Sequence, residues 1–403
     1  MAGLYIHIPF CKSRCIYCGF YSTTSLELRQ RYVDAVCKEM ETRGLTPTPP
    51  KEEGRLDTVY LGGGTPSQLT GEQLRQLFIY INKVWFPTNP LTSHLSPLAR
   101  REATLCLQRT SHEITMECNP DDVTDDFAEL LSQLPVNRVS MGVQTFSNER
   151  LRFLNRRHKA EQIAIAVERL RNAGIGNISI DLMYGFPKET LSDWHNDVDA
   201  AIALDVEHIS AYSLMYEEGT TLYNQLQRGL VEEISEETSL QMYNDLIDRL
   251  ASAGYEHYEI SNFAKKADSN GQSFRSKHNS SYWNKTPYIG LGAAAHSYDG
   301  DRTRRWNVDS VKQYIEGIEK GCPQFEEEHL DDDTLYNELV MTSLRTCEGL
   351  ALNKLTDEQR NYCIKQAERF INDGLLSNHD NHLLLTRKGL FVSNMIMSEL
   401  MKV

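Results

Sequence analysis

Residues 1–22 read MAGLYIHIPFCKSRCIYCGFYS. A short run with β character, Leu4–His7 (LYIH), leads straight into three cysteines, Cys11, Cys15 and Cys18, within eight residues. Thiolates ligate zinc, copper(I) or iron–sulfur clusters. A structural zinc closes its coordination with four protein ligands, and a [4Fe–4S] cluster normally takes four cysteines. Three thiols leave one position open. No second C-x2-C pair stands elsewhere to complete a zinc site, and His7 belongs to the strand. On a cluster, three cysteines ligate three irons and leave the fourth free for a substrate.

Working outward, five more runs rich in Ile, Val and Tyr resemble the first: Thr58–Leu61 (TVYL), Glu113–Glu117 (EITME), Arg138–Gly142 (RVSMG), Ile178–Met183 (ISIDLM) and His208–Tyr212 (HISAY). Helical periodicity fills the gaps at Leu26–Arg43, Gly71–Val84, Glu161–Ala173 and Leu191–Leu204. Alternating strands and helices predict βα units on a parallel sheet. Polar and glycine-rich motifs follow successive strands: Cys11, then Gly62–Pro66, Asn119–Pro120, Gln144 and Gly185. Function gathered at the C-terminal ends of many strands is the mark of a barrel, whereas an open sheet gathers it at one switch point. The fold class expected is α/β, a partial (βα)6 TIM-like barrel over residues 1–215. Residues 216–320 read as a bridging region with one helix (Glu236–Ala253) and a Tyr- and Gly-rich segment. Residues 321–403 read as helices (Asp333–Thr346, Thr356–Asp373), a strand at Leu383–Leu385 and a last helix, a mainly helical, winged-helix-like domain. Residues 86–112 carry three prolines and break the rhythm, which reads as a surface insertion with a short helix near 98–107; its arginines, Arg100, Arg101 and Arg109, read as a solvated face.

Composition narrows the function. The 403 residues hold 56 Asp and Glu against 42 Lys and Arg, a net charge of −14. That balance speaks against a nucleic-acid partner, which wants a basic face. No run reaches the 18 apolar residues of a membrane span, and the start lacks the basic region of a signal peptide. A cytoplasmic location is expected, where thiols stay reduced. The other six cysteines, Cys37, Cys106, Cys118, Cys322, Cys347 and Cys363, are scattered and read as inert thiols.

The spacing C-x3-C-x2-C resembles that of the radical S-adenosylmethionine (SAM) family. The resemblance implies that the open iron takes SAM through its amino and carboxylate groups. It also assigns roles further along. Gly62-Gly63-Gly64-Thr65-Pro66 is similar to the turn that contacts the SAM amino group. Glu117 in MECNP, Gln144 in GVQTF, Arg156 in LNRRH and Asp181 in IDLMYGFP follow in the order of the coproporphyrinogen-dehydrogenase-like branch. In that branch Tyr5, Gly63, Gly64, Thr65, Glu117, Gln144, Arg156 and Asp181 correspond to SAM contacts. Arg156 would pair with a carboxylate, which suits a guanidinium.

Two groups share the branch: oxygen-independent coproporphyrinogen III dehydrogenases, and haem chaperones. The dehydrogenases continue their motif with a further cysteine, where Phe20 stands here, and they carry a longer N-terminal segment. His278-Asn279-Ser280-Ser281-Tyr282-Trp283 resembles the H-N-x-x-Y-W motif of the chaperones, and PYIGLGAAAHSY follows as in that group. The resemblance thus implies a [4Fe–4S] cluster, SAM and haem as cofactors. The implied function is transfer of haem to an acceptor protein, with a membrane-associated respiratory enzyme expected. It leaves open whether SAM is cleaved and whether the chain forms a homodimer. A neutral imidazole can ligate haem iron, which makes His278 the leading haem-ligand candidate and His296 the second, the latter read first as a core histidine. No C-x-x-C-H is present for a thioether link. The alternative is oxidative decarboxylation of coproporphyrinogen III. A radical-SAM enzyme modifying RNA or protein is the third reading.

Overall fold

The computed structural model describes residues 2–44, 56–85, 112–267, 269 and 271–402. The expected insertion, with its helix and three arginines, lies outside the described residues apart from His112, as does Cys106.

All six expected strands form: β1 (Ala2–Ile8), β2 (Leu56–Gly63), β3 (Glu113–Cys118), β4 (Arg138–Gln144), β5 (Asn177–Tyr184) and β6 (His208–Ser213). They pair in parallel in chain order. Helices α1 (Arg29–Gly44), α2 (Gly71–Trp85), α3 (Asp125–Gln133), α4 (Glu161–Asn172), α5 (Leu191–Ala203) and α6 (Glu236–Ser252) return the chain from one strand to the next. Helix α2 shows why. Its buried Leu74, Leu77, Phe78 and Ile81 recur at the spacing of one helical face. Trp194 of α5, fully buried, donates its indole N–H to the Met242 carbonyl at 2.9 Å and locks α5 onto α6.

Residues 255–329 contribute six further strands that the sequence did not announce. They are β7 (Tyr255–Glu259), β8 (Asn262–Lys265), β9 (Tyr288–Leu291), β10 (His296–Tyr298), β11 (Thr303–Asn307) and β12 (Phe325–His329). They extend the sheet at both ends: β8 and β7 beyond β6, and β9 to β12 beyond β1, giving the order β12-β11-β10-β9-β1-β2-β3-β4-β5-β6-β8-β7. The result is an open barrel of six βα units. One hydrophobic core runs from Leu4 to Ile318. Helix α7 (Lys277–Trp283) packs on β2, and α8 (Val311–Glu319) packs on α1.

The C-terminal part is mainly helical. It comprises α9 (Asp332–Leu344), α10 (Asp357–Asn372), α11 (Arg387–Phe391), α12 (Ser393–Leu400) and a three-stranded sheet. That sheet contains β13 (Leu350–Ala351), β14 (Leu376–His379) and β15 (His382–Leu385), with β15 central. It has its own core. It docks on the barrel through Glu259, a buried carboxylate 2.8 Å from the Arg345 guanidinium, and through Arg345 stacked over Trp283. Among the described residues no helix is long and apolar enough to cross a membrane.

Candidate functional site

Register places the chemistry. Ile8 pairs with Gly63, so the cysteine loop and the glycine turn leave adjacent strands side by side. The loop is fixed by backbone bonds at its base: Thr23 N–H to Pro9 O at 2.7 Å and Cys11 N–H to Thr23 O at 2.9 Å. The Gly64 N–H reaches Ile8 O at 2.9 Å. A side chain at position 64 would stand 2.7 Å from the Pro9 carbonyl carbon and 2.9 Å from the Phe10 nitrogen, so only glycine lets the two segments approach this closely.

Cys11, Cys15 and Cys18 are half-buried and line one cavity of about 190 Å³. The Thr65 hydroxyl donates to Gly64 O at 2.7 Å, so at 3.7 Å it accepts from the Cys11 thiol. The Arg156 guanidinium donates to Cys15 Sγ at 3.6 Å. Burial pushes the Cys11 and Cys18 thiols up in pKa, against the positive charge of Arg156 and Arg14. Among the described residues, no group of three or more His, Cys, Asp or Glu converges on a point that one metal ion would occupy. Three thiols sharing a cavity without a common centre suit a cluster that takes one iron per thiolate. The donor set fits that group. Phe20, at the position of the dehydrogenases' extra cysteine, is exposed on the cavity rim.

Every residue implied as a SAM contact lines this cavity except Tyr5. The Tyr5 hydroxyl instead donates to His7 Nδ1 at 2.9 Å, because His7 Nε2–H is committed to Tyr21 O at 3.1 Å. Burial holds His7 neutral, its pKa down to about 4. Gln144 ends β4 after a register shift and sits at φ +69°, which turns it into the cavity at a backbone cost. Arg156 bonds Asn119 Oδ1 at 2.6 Å. Glu117 accepts from the Tyr60 hydroxyl at 2.7 Å and from Gly63 N–H at 3.1 Å.

Sequence reasoning missed Asp122. Its carboxylate takes bonds from Ser67 (2.8 Å), Gln68 (2.6 Å) and Arg157 (3.1 Å), and from Lys12 of the cysteine loop at 3.4 Å. It ties three strand-end segments together. The available signal was the run Asn-Pro-Asp-Asp directly after β3.

Two site carboxyls hold protons at unusual pH. Burial pushes Glu117 up to about 7 against the Tyr60 bond, and Asp181 up to about 6 against the Ser210 bond. The ordinary values are 4.5 and 3.8. A raised carboxyl contributes stability that is fully present below its ordinary value and lost as pH rises through the folded one. For Glu117 that is worth roughly 3 kcal/mol. Burial of His7 and His278 adds stability as pH rises toward 6.5, so the Glu117 contribution is read as a difference: the melting temperature of Glu117→Gln relative to wild type is expected to rise between pH 4.5 and 7.5. A difference independent of pH across this window would refute the burial argument.

His278 lies elsewhere. It opens α7 at the N-terminal end of the barrel strands, beside Gly3, Thr58 and Glu113, opposite the cysteines. It is 1% exposed and stacks on Tyr60 at 4.9 Å between centroids. Nδ1 bonds the Thr58 hydroxyl at 2.8 Å and Nε2 the Tyr282 hydroxyl at 2.9 Å. Burial holds the ring neutral, its pKa down to about 3. Both nitrogens are engaged, so in this arrangement neither is free for iron, and the H-N-x-x-Y-W segment plugs the barrel floor. We expect His278→Ala to lower stability by roughly 2–4 kcal/mol, through lost packing and two orphaned hydroxyls. Unchanged melting would contradict that role. His296 is exposed and stacks on Trp306 at 5.6 Å, so it is a surface residue and not the core histidine expected. Of the scattered cysteines, Cys37, Cys118 and Cys363 are buried, whereas Cys322 and Cys347 are exposed.

Comparison with known proteins adds identity to this geometry. The model of the radical SAM superfamily matches residues 5–201, and that of the HemN C-terminal domain matches residues 330–392. The heme chaperone HemW of Bacillus subtilis (strain 168) is 33% identical, over 98% of this chain and 97% of its own. The heme chaperone HemW of Lactococcus lactis subsp. lactis (strain IL1403) is also 33% identical, over 97% and 94%. Radical S-adenosyl methionine domain-containing protein 1, mitochondrial, of Danio rerio is 31% identical, over 73% of this chain and 60% of its own. Coproporphyrinogen III oxidase (HemN) from Escherichia coli superposes with a TM-score of 0.78 at 22% identity, covering 100% of this chain and 90% of that one; the likeness is one of fold. With a third of its residues shared end to end with such relatives, the chain belongs to the HemW-type family of radical SAM proteins.

Proposed function

We propose that this protein is a haem chaperone that carries a [4Fe–4S] cluster and SAM in the barrel mouth and passes haem to an acceptor protein, a respiratory enzyme being the favoured class. One observation carries the reading: three thiols, Glu117, Gln144, Arg156 and Asp181 meet in one cavity of a chain that matches relatives named heme chaperones along nearly their whole length.

Cys11, Cys15 and Cys18 would hold the cluster. A cluster so held supplies an open iron site and one-electron reduction of a bound sulfonium. The remaining work belongs to the chain. Arg156 orients a carboxylate and offsets thiolate charge. Glu117, uncharged or charged near neutral pH, accepts from an amine or hydroxyl. The Gly63 and Gly64 backbone lets a ligand lie against the strand ends. Asp122 keeps the cysteine loop and the glycine turn in register. His278 reaches iron only by releasing Thr58 or Tyr282, so we expect His278→Ala, where folded, to keep the Soret position of the wild type. A shifted Soret band would return the ligand to His278.

The discriminating experiment supplies coproporphyrinogen III, SAM and dithionite to anaerobically reconstituted protein. The expected result is no vinyl-bearing porphyrinogen. Its accumulation would replace the chaperone with an oxidative decarboxylase.

A further inference from the structure

Adjoining the cysteine cavity is a larger chamber, about 600 Å³, which shares Cys18, Glu117, Gln144 and Asp181 with it, among others. Arg138 lines this chamber from the first residue of β4 and is 1% exposed. Its Nε has no hydrogen-bond partner. Among the described residues no carboxylate forms an ion pair with its guanidinium. Glu117 and Asp181 sense its charge through space only. Each is engaged elsewhere, Glu117 with Tyr60 and Gly63, Asp181 with Ser210.

A buried, unpaired cation is costly in a folded protein. Arginine presents a planar fork matched to a carboxylate. Around it the chamber offers hydroxyls from Ser140, Ser179 and Tyr212 and apolar faces from Met183 and Met215. That is the make-up of a small-molecule site: apolar faces, placed hydroxyls, and one cation in a chamber that also holds the carboxyls of Glu117, Asp181 and Glu217. Arg138 and Gln144 stand at opposite ends of β4, roughly 20 Å apart along the strand. Arg138 thus enters from the strand end opposite Gln144, in a chamber that Cys18 also lines, and it is not among the residues implied to hold SAM.

We propose that the barrel chamber binds a carboxylate-bearing ligand, with Arg138 clamping the carboxylate from the floor. The carboxylate comes from a haem propionate or from a small organic acid. The proposal goes beyond the haem-chaperone reading and stands without it.

The test uses the full-length, cluster-reconstituted protein under anaerobic conditions, as wild type, Arg138→Gln and Arg138→Lys. Soret titrations compare haem with its dimethyl ester, in which both propionates are blocked. Thermal unfolding is followed with and without glutarate. If haem supplies the group, wild type binds haem at least tenfold more tightly than the ester, Arg138→Gln binds both alike, and Arg138→Lys recovers part of the preference. If a small acid supplies it, haem and ester bind alike, and glutarate raises the melting temperature of wild type and of Arg138→Lys but not of Arg138→Gln. A glutarate response in protein that binds no haem would sink the chaperone reading and support this one.

Because no described carboxylate pairs with Arg138 and its Nε lacks a partner, Arg138→Gln is expected to melt no lower than wild type without ligand. The proposal is overturned if neither the ester preference nor the glutarate response depends on Arg138. It is equally overturned if both variants fail to fold, since the guanidinium would then be holding the barrel together.

Discussion

Replacing any one of Cys11, Cys15 or Cys18 with alanine will drop iron in the anaerobically reconstituted protein from about four atoms per chain to below one, while the chain stays folded. The three thiols are half-buried on a loop whose backbone bonds, Thr23 to Pro9 and Cys11 to Thr23, do not involve any sulfur. The loop therefore keeps its course when a sulfur is lost. The cluster does not, because each thiolate serves its own iron and no described side chain converges there as a substitute. Cys118 lines the same cavity yet is fully buried at the end of β3, so Cys118→Ala is the control and should retain iron. Iron and sulfide analysis with circular dichroism decides. A single-cysteine variant that keeps a full complement of iron would show that the loop is not the ligand set.

Gly64→Ala will have the second large effect, on the same readout by a different route. The added Cβ meets backbone on three sides, the Pro9 carbon at 2.7 Å, the Phe10 nitrogen at 2.9 Å and the Ile8 oxygen at 3.0 Å, and none of these can rotate away. The exits of β1 and β2 must part, with an expected loss of roughly 2–3 kcal/mol. The cysteine loop rides on that exit, so iron retention should fall as well. Gly176→Ala is the control: nothing lies within 4 Å of the Cβ it would add. Equal melting temperatures and iron contents for the two variants would contradict the claim that backbone approach at Gly64 sets the site.

The barrel and its mouth were legible because their signals are local. Strands β1 to β6 are short, mostly buried runs rich in Ile, Val and Tyr, and most of the site residues sit at or just beyond their C-terminal ends. Strands β7 to β12 were not legible, for reasons that differ among them. Strand β12, Phe325–His329, is exposed along its length and carries three glutamates, so it shows no alternation. Strand β10 has three residues. His278 illustrates a different gap. Its segment is distinctive in sequence, but only pairing of β9 with β1 brings it under Thr58 and Tyr60, where both ring nitrogens find partners. Arg138 reads as an ordinary polar residue opening a strand. Its burial depends on the neighbouring strands and on α7 covering the floor, none of which residues 138–142 encode. Asp122 is similar, since its partners come from loops up to 110 positions away.

The function proposed for this protein is that a cluster-bearing radical SAM barrel serves haem. The most direct measurement is a titration of haem into cluster-reconstituted, full-length protein under anaerobic conditions, followed at the Soret band. A haem chaperone of this build is expected to saturate near one haem per chain, with the iron–sulfur absorbance retained. A signal that rises in proportion to free haem with no saturation, or no Soret change at all in protein with its full iron content, would contradict that function.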